Sequence, residues 1–229
     1  MQRMRLFLTL GLILFLFSCK KNNDDTNGSN VQVINACVSS GSIDVMTASF
    51  PLAQNVAYGT ASGYQNVPSG SSLNASVNIT GSATVWASGL INLVEDKSYT
   101  MVASDNVTTM QVGIVEDDLT APASGQSKLR FLHLSRNAPP VNIEVGGVTL
   151  FTQRSYNDYL ANSGLASFTG YTVPSGAPVN VSVYVYGVGA LLYTLPSAGL
   201  QVGRIYTLAL IGEPGGSGNA SLRCVLLNN

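Results

Sequence analysis

The sequence contains an internal repeat, and this repeat limits the fold more than any other feature of the chain. Four short segments of the first half recur, in the same order, in the second half. The matched segments begin at Ile43 and Val141, Val67 and Val173, Asn74 and Asn180, and Tyr99 and Tyr206. Their offsets rise from 98 to 106 and 107 residues, which predicts an eight-residue insertion in the second copy, around residues 155–167. Because this period is too long for a solenoid repeat and suits an independent domain, two copies of one domain are predicted.

Within each copy, apolar residues recur at every second position. In residues 181–186, valines alternate with serine and tyrosine, which places the valines on one face of a strand and Tyr184 and Tyr186 on the other. The pair Gly146-Gly147 separates two such runs, which is typical of a β-hairpin with a tight turn. Only residues 156–160, inside the insertion, indicate a helical turn. The chain is therefore predicted to be all-β, with two tandem antiparallel Ig-like β-sandwich domains of about seven strands each.

The N-terminus has the three-part form of a secretion signal. Arg3 and Arg5 supply a positive flank, and residues 6–17 are apolar. As a helix, this apolar run would span about 18 Å, which is short of the roughly 30 Å of hydrocarbon in a bilayer. A signal peptide is therefore favoured over a permanent membrane span.

Cys19 ends the apolar run. Residues 16–19, Leu-Phe-Ser-Cys, resemble the lipobox of bacterial lipoproteins, in which the cysteine thiol receives the lipid and becomes the new N-terminus. The alternative is an ordinary cleaved signal in which Cys19 is incidental. Lys20 follows the cysteine, which resembles lipoproteins that are sorted to the outer membrane. The resemblance implies a membrane partner through an N-terminal lipid, with exposure at the cell surface left open.

These features divide the chain into five segments. They are a signal peptide at residues 1–18, a lipidated cysteine with a flexible tether at 19–30, a first sandwich at 31–115, a linker at 116–127 and a second sandwich at 128–229. The linker is placed where apolar patterning stops and Pro, Gly and Ser accumulate. Its three acids, Glu116 to Asp118, are too few for a calcium loop, so they are interpreted as part of a solvated linker.

Composition disfavours nucleic acid binding and catalysis. Only 10% of the residues are charged, the formal net charge is −1, and no basic patch is present. His133 is the only histidine, so no metal, cofactor or catalytic site is predicted and the chain is not expected to be an enzyme. His133 lies at a predicted strand end, where the first copy has Asn35, and a structural hydrogen-bonding role is expected for both.

Cysteine and aromatic residues provide the other candidates. Cys37 and Cys224 lie in different copies, so separate buried thiols are favoured over a disulfide, which an oxidising envelope would permit. Tyr184 and Tyr186 are candidates for contact with a ligand or partner, because neighbouring exposed tyrosines can pack against a sugar ring or an apolar patch. The alternative is that they cover a contact between the domains or pair across strands. Trp86 is expected in the core.

The start of the second copy resembles a known family. Residues 129–139, Leu-Arg-Phe-Leu-His-Leu-Ser-Arg-Asn-Ala-Pro, followed by Val-Asn-Ile at 141–143, are similar to the opening motif of the domain-of-unknown-function family 4397. That motif reads roughly V-R-V-x-H-A-S-P-D-A-P and then V-D-V. Arg136 replaces a proline of the motif, and Asn35 replaces its histidine in the first copy. The resemblance implies extracellular β-sandwich domains, often in tandem in secreted or lipid-anchored proteins, and no activity.

Together, these features predict a lipid-anchored lipoprotein of the cell envelope, in the outer membrane. It is expected to act as a binding or adhesion module for a glycan or another envelope protein, and not for nucleic acid. A structural spacer without a small-molecule ligand is the alternative, and a hydrolase is the least favoured.

Overall fold

The computed structural model describes residues 28–69, 72–174 and 178–229. Cys19 and the predicted signal peptide lie outside the described residues, as does the predicted tether up to residue 27. Within the described ranges, the chain forms sixteen strands in four sheets and one short α-helix, which confirms the all-β prediction. In these ranges no helix has the length and apolar character needed to cross a membrane.

The first half contains eight strands. They are β1 (Gly28–Asn35), β2 (Ser42–Met46), β3 (Pro51–Ala57), β4 (Gln65–Pro68), β5 (Ser72–Ile79), β6 (Val85–Asn92), β7 (Ser98–Ser104) and β8 (Gln111–Asp117). They form two sheets with the strand orders β4-β1-β7-β8 and β3-β2-β5-β6. Neighbouring strands are antiparallel except β1 and β7, which run parallel.

The second half repeats this arrangement strand for strand. Its elements are β9 (Gln126–His133), β10 (Val141–Val145), β11 (Val148–Arg154), α1 (Asp158–Ala161), β12 (Thr169–Thr172), β13 (Val179–Val185), β14 (Leu191–Ala198), β15 (Ile205–Ile211) and β16 (Arg223–Asn228). The sheet orders are β12-β9-β15-β16 and β11-β10-β13-β14, and the parallel pair is now β9 and β15. Each half therefore has eight strands, one more than the sequence predicted.

Three apolar clusters show how the four sheets are stacked. One cluster fills the space between the two sheets of the first half, and a second does so in the second half. A third cluster joins Ile34 and Val102, from β1 and β7, to Leu132 and Ala209, from β9 and β15. The sheets that contain β1 and β9 are therefore the two inner layers, and those that contain β2 and β10 are the outer layers.

Layer position explains the difference between strand sequences. Strands β7 and β15 are buried along nearly their whole length, and both read as nearly continuous runs of apolar residues and threonine. On β7, Met101 belongs to the core of the first half, whereas Val102 belongs to the cluster between the halves. Strand β10 lies in an outer sheet and alternates buried with half-buried residues. The two-residue period is therefore a property of the outer layers.

Two local predictions for the second half are confirmed, the hairpin at Gly146-Gly147 and the helical turn in the insertion. Gly146 and Gly147 both have positive φ and connect β10 to β11, which confirms the predicted hairpin. The predicted helical turn is present as α1, followed by a 3₁₀ turn at Ser163–Ala166. Tyr159 and Ala166 from this insertion pack in the third cluster, so the insertion covers the junction between the halves.

Three features differ from the sequence expectations. The strand-free connection between the halves spans residues 118–125, because β8 continues to Asp117 and β9 begins at Gln126. Strand β1 likewise begins at Gly28, within the predicted tether. Trp86 is 37% exposed instead of buried in the core. The pairing of β5 with β6 shifts register here and brings two successive residues, Val85 and Trp86, opposite Asn78.

Candidate functional site

The candidate tyrosines lie on the outer sheet of the second half. Strand β13 runs between β10 and β14, and Val181 and Val183 are fully buried in the core below it. Tyr184 is half-buried, and Tyr186, the first residue after the strand, is 44% exposed. Both tyrosines therefore occupy the outer side of the sheet, as alternation along the strand requires.

Two rows of side chains cross this outer face. In one row, Tyr184 pairs with Asn142 of β10 and Leu191 of β14. In the next row, Ser182 pairs with Glu144 and Thr194, and Thr149 adds a hydroxyl that lies 3.4 Å from Glu144 Oε1. These two rows, together with Tyr186, are called the tyrosine face. It combines aromatic rings with amide, hydroxyl and carboxylate groups.

The β13–β14 hairpin extends this face with apolar side chains. Val188 is 76% exposed, and Leu191 is also exposed. The backbone N–H of Tyr186 donates to Pro140 O at 2.8 Å, which joins the hairpin to the loop after β9. Tyr186, Val188 and Leu191 are called the hairpin patch. Sequence reasoning missed Val188, although a valine between two turn glycines, Gly187 and Gly189, is itself a signal of an exposed apolar residue.

The same face in the first half is built differently. Asn78 stands at the position of Tyr184, and Thr80 at that of Tyr186. Asp44 Oδ1 accepts a hydrogen bond from the Asn55 N–H at 2.7 Å, as Asn142 Oδ1 does from the Gln153 N–H in the second half, and a further one from Thr80 Oγ1 at 2.8 Å. The polar groups of this face therefore bind one another. Among the described residues, the tyrosine face is a feature of the second half alone.

His133 and Asn35 occupy corresponding positions, each as the last residue of an inner strand. His133 is fully buried, and its Nε2 lies 3.1 Å from Pro139 O, so Nε2 carries the proton. Burial lowers the pKa of His133. The amide of Asn35 donates to Val56 O at 2.9 Å, and its oxygen accepts from the Cys37 N–H at 3.1 Å. Each side chain binds backbone groups in its own half, and neither contributes to the tyrosine face.

The two described cysteines are free and buried. Burial raises the pKa of Cys37 and of Cys224 to about 12, so both thiols stay protonated at neutral pH. In the part of the chain that the structure describes, no three His, Cys, Asp or Glu side chains come close enough to hold a metal ion.

Sequence reasoning missed a polar network between the halves. Arg130 of β9 is fully buried, and its Nη1 lies 2.5 Å from Asp117 Oδ1 of β8. Arg130 also donates from Nη2 to Thr100 Oγ1 at 2.6 Å and from Nε to Thr207 Oγ1 at 2.8 Å. The Asp117 side chain is fully buried as well, so its interpretation as a solvated linker residue is wrong. The arginine partner removes the cost of burying this carboxylate alone.

Further side chains surround this ion pair. Tyr64 donates from its hydroxyl to Asp117 Oδ2 at 2.6 Å, and burial raises the pKa of Tyr64. Gln32 donates to Thr100 Oγ1 at 2.9 Å, and Asn229 donates to the Tyr64 hydroxyl at 3.2 Å. The guanidinium of Arg130 lies 4.7 Å from the ring centroid of Phe168. We call these residues the junction network, because the ion pair and several of its hydrogen bonds join one half to the other.

Comparisons with known proteins identify a family, and the solved structures that match include a distant neighbour from Parabacteroides distasonis. The family model Domain of unknown function (DUF4397) matches residues 29–144, just over half of the chain, from β1 to β10. No curated protein matches the sequence. A fimbrial assembly protein from Parabacteroides distasonis has a TM-score of 0.27 and 10% identity, with 88% of this chain and 95% of that chain covered. Similarity at that level supports no conclusion about fold or function.

Proposed function

Because this chain belongs to the Domain of unknown function (DUF4397) family, to which no activity is assigned, we propose a function from the chain's own residues. The protein is a lipid-anchored lipoprotein of the outer membrane, and its described part is a binding or adhesion module for a glycan. The tyrosine face carries this proposal, since it exposes Tyr186 and half-exposes Tyr184. Each half is taken as one Ig-like sandwich, supported by the identical strand order of the two halves.

The chemistry of the tyrosine face favours a carbohydrate. An aromatic ring packs against the apolar face of a sugar, and neighbouring polar groups bind its hydroxyls. Tyr184 supplies the ring, and Glu144, Ser182 and Thr194 form the adjacent polar row. A flat outer sheet gives such a ligand access from solvent without a deep pocket.

A protein partner is the second candidate. The hairpin patch favours it, because Val188 and Leu191 are apolar, exposed and adjacent to Tyr186. Clustered apolar and aromatic side chains at a loop tip are typical of protein contacts. A spacer role, in which neither surface binds anything, is the alternative to both.

The anchor rests on residues 16–19, and its test is a change at Cys19. Cys19→Ala removes the thiol that would take the lipid, so the protein is expected in the soluble fraction without the mass of the acyl chains. Cys37→Ala is the matched control, since this thiol is buried in the described fold. Membrane fractionation and intact mass measure both outcomes. A Cys19→Ala protein that stays in the membrane at the mass of a lipidated chain contradicts the anchor.

Binding is tested on a glycan array with the purified full chain. Tyr184→Ala and Tyr186→Ala are each expected to weaken binding about fivefold, since a stacked aromatic contributes on the order of 1 kcal/mol. Val202→Ala is the control, because this exposed apolar side chain lies in the loop after β14 and not on the tyrosine face. Binding to a protein that is lost with Val188→Asp and kept with Tyr184→Ala would favour the second candidate. Absence of binding in both assays would favour the spacer.

A further inference from the structure

The described sheets have eight edge strands, and seven of them carry a feature that opposes pairing with another chain. These features are a length of four residues in β4 and β12, charged residues in β8 (Glu116) and β16 (Arg223), and proline or left-handed residues in β3 (Pro51, Asn55), β11 (Gln153) and β14 (Pro196, Ser197). At the left-handed residue of β14, the Ser197 N–H donates to Asn180 Oδ1 at 3.0 Å. The edge of β14 is therefore irregular and partly occupied by its own neighbour.

Strand β6 carries none of these features, and its one irregularity, the bulge at Val85 and Trp86, is confined to its first two residues. Its eight residues, Val85–Asn92, include no charged residue, no proline and no residue with left-handed φ. From Ala87 to Asn92 it pairs with β5 in continuous register. Among the described residues, no hydrogen bond to another element involves the backbone on its outer edge. Within the described ranges, the edge from Ala87 to Asn92 is therefore a row of N–H and C=O groups without a partner strand.

Three of the five exposed side chains of β6 are apolar, namely Val85, Trp86 and Leu90. Leu90 is 70% exposed and Trp86 is 37% exposed, with Ser88 between them. In the second half, the residue 106 positions after Leu90 is Pro196, which cannot donate to a neighbouring strand. The two halves share one topology, yet only the first leaves this edge open.

We propose that β6 is the site at which two copies of this chain associate, edge to edge and antiparallel. Only an extended chain can satisfy a row of strand backbone groups, and a second β6 brings no charge to this uncharged edge. With Ser88 on the twofold axis, Leu90 of each copy stands opposite Trp86, which lies at the bulge of the other copy. Such a pairing therefore covers Trp86 and Leu90 of both copies.

This pairing limits the assembly to two copies. The sheet β3-β2-β5-β6 continues through β6 of the second copy into an eight-stranded sheet, and the interface is the same patch on both sides. Since the equivalent edge at β14 carries Pro196 and Ser197, a copy has one such edge to offer, which gives a dimer and not a filament. The tyrosine face lies in the other half and stays accessible, so this inference is independent of the proposed ligand.

Sedimentation equilibrium of the full chain, in a density-matched detergent, measures the number of copies. The wild-type protein is expected at the mass of two chains, and Leu90→Lys at the mass of one, because it places two charges in the interface. Leu191→Lys, which changes another exposed leucine, on β14, is the matched control and is expected to stay dimeric. Thermal unfolding checks that both lysine variants remain folded.

A cysteine at the proposed axis tests the register. In an antiparallel pair centred on Ser88, the two Cα atoms stand about 4.5–5.5 Å apart, which lies within the Cα separations that disulfides bridge. Ser88→Cys is therefore expected to form a covalent dimer on oxidation, and Thr194→Cys, the equivalent position on β14, is not. A wild-type protein that sediments as a monomer overturns the proposal. The same holds if its mass rises only after a strand-forming peptide of another protein is added, because β6 would then pair with that partner and not with a second copy. A dimer that Leu90→Lys leaves intact, or that Ser88→Cys does not cross-link, overturns the β6 pairing.

Discussion

The two sides of the junction network occupy the same places in the repeat but carry different chemistry. Gln32 stands opposite Thr100 of its parallel neighbour, and Arg130 stands opposite Thr207 in the same way. Asp117 at the end of β8 corresponds to Asn229 after β16, as their contacts with Ser98 and Ile205 show. The first half has the amide of Gln32 where the second has the guanidinium of Arg130. It has the carboxylate of Asp117 where the second has the amide of Asn229.

This difference determines which halves fit together. The cation is only in the second half and the buried anion is only in the first. Two first halves in this arrangement would bury Asp117 twice without a cation, and two second halves would bury Arg130 twice without an anion. Unpaired buried charges are strongly destabilising, so the junction selects a first half packed on a second half.

The largest expected effect comes from removing the cation. Arg130→Gln installs the residue of the first half and leaves Asp117 buried without its partner, which is expected to lower the free energy of unfolding by roughly 3–5 kcal/mol. Urea denaturation measures this change. Lys128→Gln is the control, since its partner Asp118 is exposed, and a loss of at most about 1 kcal/mol is expected there. Equal losses in the two variants would contradict the role of the junction ion pair.

Restoring charge balance is the next test. Arg130→Gln combined with Asp117→Asn leaves two neutral amides in place of the ion pair. The equivalent positions of the repeat, Gln32 and Asn229, already carry amides. The double variant is expected to recover more than half of the stability that Arg130→Gln loses, because no buried charge remains. A double variant less stable than Arg130→Gln would show that hydrogen bonds of Asp117, and not its charge, dominate.

A smaller effect is expected where the insertion of the second half covers the first. A Cβ on Gly113 of β8 would lie 2.6 Å from Tyr159 Oη, so Gly113→Ala forces the insertion outwards. Overpacking of this kind costs about 1–3 kcal/mol of unfolding free energy. Gly89→Ala is the control, because a Cβ there meets nothing within 4 Å. Thermal or urea unfolding of the two variants separates them, and equal stability would contradict close packing of the insertion.

The smallest expected effect is the pH dependence due to His133, where the first half has Asn35. Burial lowers the folded-state pKa of His133 below its ordinary 6.5, with opposing contributions from the nearby Asp158, which raises it, and Arg154, which lowers it further. Below pH 6.5 the unfolded chain therefore binds a proton that the folded chain does not, and stability falls as pH decreases towards the folded-state pKa. Above this window His133 makes no pH-dependent contribution.

His133→Asn is expected to flatten this slope. Melting temperatures measured from about pH 7.5 down to about pH 5.5 compare the variant with the wild type. An unchanged slope in His133→Asn would assign the dependence to carboxylates instead.

The sequence predicted the parts of the fold that depend on local pattern. Alternation along β10 and β13 and the pair Gly146-Gly147 are local signals, and the structure confirms the strands and the hairpin. The inner layers could not be predicted in this way, because both faces of β7 and β15 are buried and the two-residue period disappears. Trp86 was placed wrongly because a register shift interrupts the alternation that assigned its face.

For the candidate site, the sequence indicated Tyr184 and Tyr186 because alternation fixes the face of a strand residue. It did not indicate the junction network. The partners of Arg130 lie 13, 30 and 77 residues away along the chain, so only the packing of the two halves brings them together. Asp117 was misassigned for the same reason: its sequence neighbours are those of a solvated loop, and its spatial neighbours are not.

The position of β1 has a mechanical consequence. The described chain starts at this strand, which lies between β4 and β7 and is buried on both faces. A pull on the N-terminal side therefore loads β1 along its own axis. Its hydrogen bonds to both neighbours then resist in shear, all at once, instead of opening one after another. Because forced unfolding is governed by the barrier to the first rupture, this arrangement favours a long lifetime under load. If the protein is held by its N-terminus and pulled at the tyrosine face, β1 carries the tension and is the last strand to separate from its neighbours.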